Sequence, residues 1–233
     1  MPQPKFAIVV AMKREVNPLV RVWRHREAAG SLNGAARRLA IFESDTACLV
    51  IGGIGAKAAA RASRVVLEQS RANVLVSAGS AGALRPDLKV GDVFRPATVI
   101  DVATGARFAS LGGAGTLVTT GSILGPPEKK EMASRFAAQV VDMEAAAVAA
   151  VAKERGVAFL AIKAISDELD FALPPMRQFV DDEGEFHSGR FLAYLALRPG
   201  WWGAVRHMAA SSARAASALC AALESLELDV KDG

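Results

Sequence analysis

Apolar positions along this chain fall into short dense runs, set between longer stretches in which they recur every three or four residues. Residues 6–11, 74–78 and 158–165 are runs of the first kind, the pattern of strands buried on both faces. Residues 15–26 carry Val16, Leu19, Val20 and Trp23 at helical spacing, which predicts an amphipathic helix. Residues 38–42 and 47–51 read as a strand pair joined by the turn-forming Ser44-Asp45. Gly52-Gly53-Ile54-Gly55 then opens an Ala-rich helix reaching about Gln69. Extended stretches follow at residues 93–102 and 117–120. Pro126-Pro127-Glu128 begins a helix, since proline is tolerated where the first amides have no partner. Val140-Val141 leads into a helix from Glu144 to Arg155, closed by Gly156. Strands alternating with helices predict an α/β fold whose parallel or mixed sheet is covered on both faces. No repeat, linker or composition break divides the chain, so residues 1–233 read as one domain with a helical C-terminal tail from about residue 188.

Composition narrows this picture. Hydrophobic residues make up 52% of the chain and aromatics only 6%. Ala leads the apolar fraction, which favours helices packed closely on a sheet over a β-sandwich. A net charge of +4, with no basic stripe interleaved with aromatics, argues against a nucleic-acid partner. Cys48 and Cys220 lie in unrelated segments without a CxxC, as free thiols of a reducing compartment do. His25, His187 and His207 are scattered without metal-ligand spacing, so no metal site is expected. The first five residues lack the apolar stretch of a signal peptide, and no apolar run is long enough to span a bilayer; a cytoplasmic location is the expectation.

The candidate chemistry is acidic. Glu15 follows the first strand, Glu144 stands in Val141-Asp142-Met143-Glu144-Ala145, and Asp167 ends Ile165-Ser166-Asp167. Polar groups at the carboxyl ends of strands in an α/β sheet converge on one crevice. Three carboxylates there suit a sugar with vicinal hydroxyls, a leaving group that needs a proton and a nucleophile that needs orienting, which is the chemistry of an N-glycosidic bond. Each has a plainer reading. Glu144 could complement a helix dipole, although its apolar neighbours make a solvated role costly. Asp167 could cap a helix or, in a semi-enclosed pocket, donate a proton. Ser77-Ala78-Gly79-Ser80-Ala81-Gly82 leaves room for a ligand against the main chain and offers the Ser80 hydroxyl, yet a packing turn has the same composition. Gly52–Gly55 is either an anion cradle or a tight turn; lacking the third glycine of GxGxxG, it is not a dinucleotide fingerprint.

Taken in order, Ala11-Met12-Lys13-Arg14-Glu15-Val16, Gly53-Ile54-Gly55, Ala78-Gly79-Ser80-Ala81-Gly82, Val90-Gly91-Asp92, Asp142-Met143-Glu144-Ala145 and Ala164-Ile165-Ser166-Asp167 resemble the purine nucleoside phosphorylase superfamily, and within it the methylthioadenosine/S-adenosylhomocysteine nucleosidases. The resemblance implies a three-layer α/β/α fold around a mixed, twisted central sheet, cleavage of a nucleoside, no metal or organic cofactor, and a homodimer. It implies that Asp167 protonates the purine at N7 and that Glu144 and Met143 hold the ribose 2′ and 3′ positions. Glu15 would orient or deprotonate a water, or help hold the sugar if phosphate is the co-substrate. Gly79 and Ser80 would line the nucleophile side, with Ser166 among the substrate-binding residues. An acid at residue 167 implies a 6-aminopurine, adenine. The chain departs from the pattern at Ser77, where phosphorylases carry a phosphate-binding Arg, at Lys163, where nucleosidases carry Arg, and in the short stretch between Asp92 and Asp142, which shows no aromatic to stack on the base near Ser122–Gly125.

The short middle, the run from Ile165 to Pro174 and the tail resemble the hopanoid-associated phosphorylase branch, which implies release of adenine from adenosylhopane, an adenosine with a lipid on its 5′ carbon. The tail supplies Phe191, Leu192, Tyr194, Leu195, Trp201, Trp202, Val205 and Met208, interleaved with Arg190, Arg198, Arg206 and Arg214. It is expected either to pack as ordinary helix or to touch a membrane surface peripherally. A nucleosidase for small 5′-thio substrates, and a nucleoside-binding protein without catalysis, are the competing readings.

Overall fold

The computed structural model describes residues 5–32, 35–174, 176–179, 181, 184 and 186–231. Its centre is set by strands whose alternate side chains face opposite layers. In β1 (Phe6–Val10), Ala7 and Val9 enter one core and Phe6, Ile8 and Val10 the other. A 3-10 turn at Lys13–Glu15 and a four-residue helix α1 (Asn17–Val20) follow. The chain then turns into β2 (Arg24–Leu32), which pairs antiparallel along its whole length with β3 (Ala35–Glu43). β3 returns through Ser44, whose Oγ accepts the amides of Thr46 and Ala47, into β4 (Ala47–Ile51), which runs parallel to β1.

Helix α2 (Ala56–Ser70) crosses back to β5 (Val74–Ala83), parallel to β1. The next strands are β6 (Val93–Phe94), β7 (Thr98–Asp101), β8 (Arg107–Ala109) and β9 (Thr116–Thr119). Helix α3 (Pro126–Phe136) leads to β10 (Val140–Asp142), helix α4 (Ala145–Arg155) to β11 (Ala158–Asp167), and the chain finishes with α5 (Ser188–Ala196) and the long α6 (Trp202–Lys231). The mixed sheet has the order β2-β3-β4-β1-β5-β10-β9-β7-β8, with β11 pairing both β5 and β6.

Helices cover both faces. Ala59, Ala62 and Val66 of α2 and Val148, Ala149 and Ala152 of α4 pack on Ala7, Leu75 and Ala161. On the opposite side Ala215, Leu219 and Leu223 of α6 pack with α1 on Ile8, Val76 and Ile162. This is the expected three-layer α/β/α fold, and small alanines are what let α2 and α4 lie close to the sheet. No helix among the described residues is long and apolar enough to cross a membrane.

Two expectations are corrected. Residues 15–26 are not one helix: Val16, Leu19 and Val20 are buried as their spacing requires, but the apolar face lasts only to α1. From Arg24 onward pairing with β3 takes over, reinforced by the Arg26–Glu43 ion pair at 2.7 Å, and a long ladder outweighs a weak helical preference. The strand through Val74 also does not stop at Ala78. Gly79–Ala83 stay in β5 because both flanks have partners, β11 on one side and β10 on the other. Met1–Pro4 lie outside the described residues.

Candidate active site

A cavity of about 480 Å³ lies at the carboxyl ends of β1, β5, β10 and β11, the position at which α/β sheets bind ligands. Its wall brings together Glu15, Ser80, Met143, Glu144, Ser166 and Asp167. Gly79 lies behind Glu15, where a Cβ would sit 3.4 Å from Oε1.

Glu15 closes the 3-10 turn after β1. Its Oε2 accepts the Met12 amide at 3.0 Å and its Oε1 the Ser80 amide at 2.9 Å, so the carboxylate is locked to two strands and only 5% exposed.

Glu144 sits at the N-cap of α4, yet its carboxylate does not serve that helix. Asp142 Oδ2 accepts the Ala145 amide and Thr119 Oγ1 the Ala146 amide. Glu144 Oε1 instead reaches the Gly55 amide at 2.7 Å, and Oε2 accepts from Met143 N at 3.3 Å. In this structure the Gly55 amide of the glycine turn before α2 is therefore bonded to Glu144. Burial pushes the Glu144 carboxyl up to about 7, with the Asp142 and Glu15 charges adding and Lys163 and the Gly55 amide opposing.

Asp167 is the last residue of β11 and caps no helix. A register shift between Ile165 and Asp167 turns the strand end toward the cavity, as bulges beside functional sites do. Its Oδ1 accepts the Ser166 hydroxyl at 2.7 Å and its Oδ2 the Lys129 ammonium at 2.5 Å. Gly82, paired with Asp167, leaves the space: a Cβ there would lie 2.9 Å from Asp167 Oδ2 and 3.3 Å from Lys129 Cε.

Lys129 went unnoticed in the sequence because Glu128-Lys129-Lys130-Glu131 reads as a solvated helix face. The signal was its phase: Lys129 shares the buried face of α3 with Met132. In a second buried pair, Lys163–Asp142 at 2.9 Å, Asp142 borders the cavity and Lys163 lies behind it, also donating to Ser77 Oγ at 3.0 Å. Burial works against the Lys163 ammonium, but the Asp142, Glu144 and Glu15 charges hold it above the ordinary lysine value.

The remaining wall carries Arg14, Thr120, Ser122 and Ser212 among mostly apolar side chains. Ile123, Leu124 and Val141 stand on one side, and Leu173, Met176, Val205 and Met208 form the side nearest α6. No aromatic side chain lines the cavity among the described residues. The tail divides: Phe191 and Leu195 are buried with Phe179, and Trp201 packs on that cluster, while Leu197 and Trp202 are 81% and 53% exposed. The Leu192 side chain lies outside the described residues. Among these residues no cluster of His, Cys, Asp and Glu is arranged to hold a metal ion.

A cavity at the carboxyl ends of these strands with four acids on its wall, Glu15, Asp142, Glu144 and Asp167, defines a class. The phosphorylase superfamily model matches residues 5–116 and 110–190, and the chain belongs to that superfamily, whose phosphorylases and nucleosidases break N-glycosidic bonds. Among solved structures it is similar to the 5′-methylthioadenosine/S-adenosylhomocysteine nucleosidase of Helicobacter pylori in complex with a pyrrolopyrimidine-bearing pyrrolidinol. The TM-score is 0.66 at 16% identity, covering 97% of this chain and 100% of that one. The futalosine hydrolase of Helicobacter pylori gives 0.64 at 16% identity over 95% and 98%. The adenine complex of the nucleosidase from Colwellia psychrerythraea gives 0.60 at 22% identity over 72% and 84%. These likenesses show the fold.

Proposed function

We propose that the protein is a nucleosidase that hydrolyses the N-glycosidic bond of an adenosine bearing an apolar 5′ substituent, releasing adenine. The observation that carries this reading is one cavity with Glu15, Glu144 and Asp167 on its wall. Glu144 would accept the ribose hydroxyls, which compensate a buried carboxylate as the Gly55 amide does now. Glu15, held rigidly by two amides, would orient the attacking water and take its proton, a geometry that needs no motion at the moment of reaction. Asp167 would deliver a proton to N7 so that the base leaves neutral. The base would lie between aliphatic side chains such as Ile123 and Val141 in place of a stacking ring. This chemistry requires neither a metal nor an organic cofactor.

Two features favour water over phosphate. Ser77 and Lys163 are bonded to each other behind the wall, and Lys163 is paired with Asp142. A phosphate dianion would also face Glu15 and Glu144, set against Arg14 and Lys129, of which Lys129 is already paired with Asp167.

The apolar side near α6 is where the 5′ substituent would run, past Leu173, Met176, Val205 and Met208 toward exposed Trp202. A lipid-linked adenosine such as adenosylhopane would suit that apolar wall, and Arg198 and Arg206, each four residues from Trp202 in the chain, would favour an anionic surface. The second reading, a nucleosidase for small 5′-thio adenosines, is favoured by the modest cavity volume. A panel of adenosines with 5′ substituents of increasing apolar length, with inosine counterparts, tests the choice. The proposal expects kcat/KM to rise with length and inosines to react poorly; a maximum at 5′-methylthio would select the second reading.

A further inference from the structure

An acid that must give up a proton first has to hold one, and the proton donor fixed against Asp167 is Lys129. Asp167 Oδ2 accepts from Lys129 Nζ, while Oδ1 lies 2.7 Å from the Ser166 hydroxyl, which also approaches the Ala81 carbonyl. Lys129 is held by two oxygens, Asp167 Oδ2 and the Glu168 carbonyl at 2.8 Å, with its side chain 2% exposed. The neighbouring acids have exposed cations of their own, Lys89 on Glu168 and Lys130 on Asp170. Lys129 is thus committed to Asp167 at a position on the apolar face of α3 where packing alone would favour an aliphatic side chain.

We propose that Lys129 is the proton reservoir of this site, supplying through Asp167 the proton that leaves with the base; the inference rests on the nucleosidase reading. When a base fills the cavity it covers the 9% of the Asp167 side chain still exposed, and a dry environment favours the neutral partners over the charged ones. The proton then moves from Lys129 Nζ to Asp167 Oδ2. As the glycosidic bond breaks, its electron pair goes to the base and N7 takes the Asp167 proton. Lys129 is left as the amine, Asp167 as the carboxylate and the sugar as a cation. Water closes the sugar and loses a proton to Glu15, and Lys129 is reprotonated from solvent after release. Lys129 acts through Asp167, so it is a positioning residue.

Arginine separates this role from simple charge pairing, because a guanidinium keeps the ion pair but does not give up its proton. With 5′-methylthioadenosine, Lys129→Arg is expected to lower kcat by about 10²-fold, the scale of a lost proton-transfer group, with little change in KM. With the N7-methylated counterpart, whose base departs neutral without a proton, the variant is expected to work close to wild type. If Lys129→Arg fails to fold, Lys129→Met is read by its pH profile: Asp167 must then take its proton from solvent, so kcat on methylthioadenosine is expected to fall with rising pH where wild type stays flat, and a profile like wild type overturns the reservoir. Full activity of Lys129→Arg on methylthioadenosine, or equal losses on the two nucleosides, overturns the reservoir and leaves the nucleosidase reading standing. A wild-type protein that releases base from neither nucleoside overturns both.

Discussion

Two buried lysine–aspartate pairs stand within one wall of this protein, and they are built differently. Lys163 and Asp142 have side chains 1% and 0% exposed. Around them, Asp142 also accepts Thr119 Oγ1 at 2.7 Å and the Ala145 amide, and Lys163 donates to Ser77. Every charge is answered by fixed dipoles, and the pair ties β10, β11, β9 and the start of α4 together. Lys129 and Asp167 have fewer fixed partners, and both line the cavity. In the first pair only Asp142 borders the cavity and its carboxylate is saturated by Lys163, Thr119 and the Ala145 amide, whereas both members of the second pair border it. Burial alone does not distinguish them, since both are nearly solvent-free; the difference is that the cation of the second pair also lies on the cavity wall.

The largest expected effect follows from removing the acid of the second pair. Asp167→Asn should lower turnover of 5′-methylthioadenosine by roughly two to four orders of magnitude with ligand binding largely kept, read by kcat and by titration with a non-cleavable analogue. Wild-type-like turnover would remove Asp167 from the chemistry. The first pair should respond in stability instead. Lys163→Met strands Asp142 without its cation and should cost about 3–5 kcal/mol, measured by denaturant unfolding. A variant as stable as wild type would show that the dipoles around Asp142 suffice.

Glu144 lies between the two pairs and sharpens the contrast through pH. Its folded carboxyl is raised to about 7 from 4.5, so between those values the folded state holds a proton that the unfolded chain has released. The stability it contributes at low pH is therefore lost as pH rises through about 7. Glu144→Gln should melt like wild type near pH 4 and higher than wild type at pH 8, the reverse of the loss expected at Lys163. The same substitution should impair ribose nucleosides far more than 2′-deoxy analogues, and equal losses would mean that Glu144 does not read the 2′-hydroxyl. The smallest effect is expected at the cavity's outer end. Trp202→Ala should weaken activity on a long-chain 5′-substituted adenosine while sparing methylthioadenosine; a drop in melting temperature with both substrates affected alike would assign Trp202 to packing.

Much of this arrangement was legible in the sequence because strands buried on both faces leave dense apolar runs, and the acids stand within a few residues of where those runs end. Glu15, Glu144 and Asp167 reach one cavity for that reason. What was not legible depended on partners distant in sequence. β2 has a polar, edge-strand composition and exists through its ladder with β3. Gly79–Ala83 reads as a loop until β10 and β11 flank it. Lys129 carries the charge pattern of an exposed helix, and only its phase with Met132 marks it as buried. The wall supplied by α6 required knowing where the tail folds back.

The central claim is that this cavity breaks an N-glycosidic bond with water, and product analysis tests it most directly. The protein is incubated with 5′-methylthioadenosine and with a longer apolar 5′ homologue, with and without phosphate, and base and sugar products are quantified. The account predicts adenine and a free reducing sugar in equal amounts under both conditions. A sugar 1-phosphate formed only with phosphate would contradict water as the nucleophile, and no adenine in any tube would contradict the account as a whole.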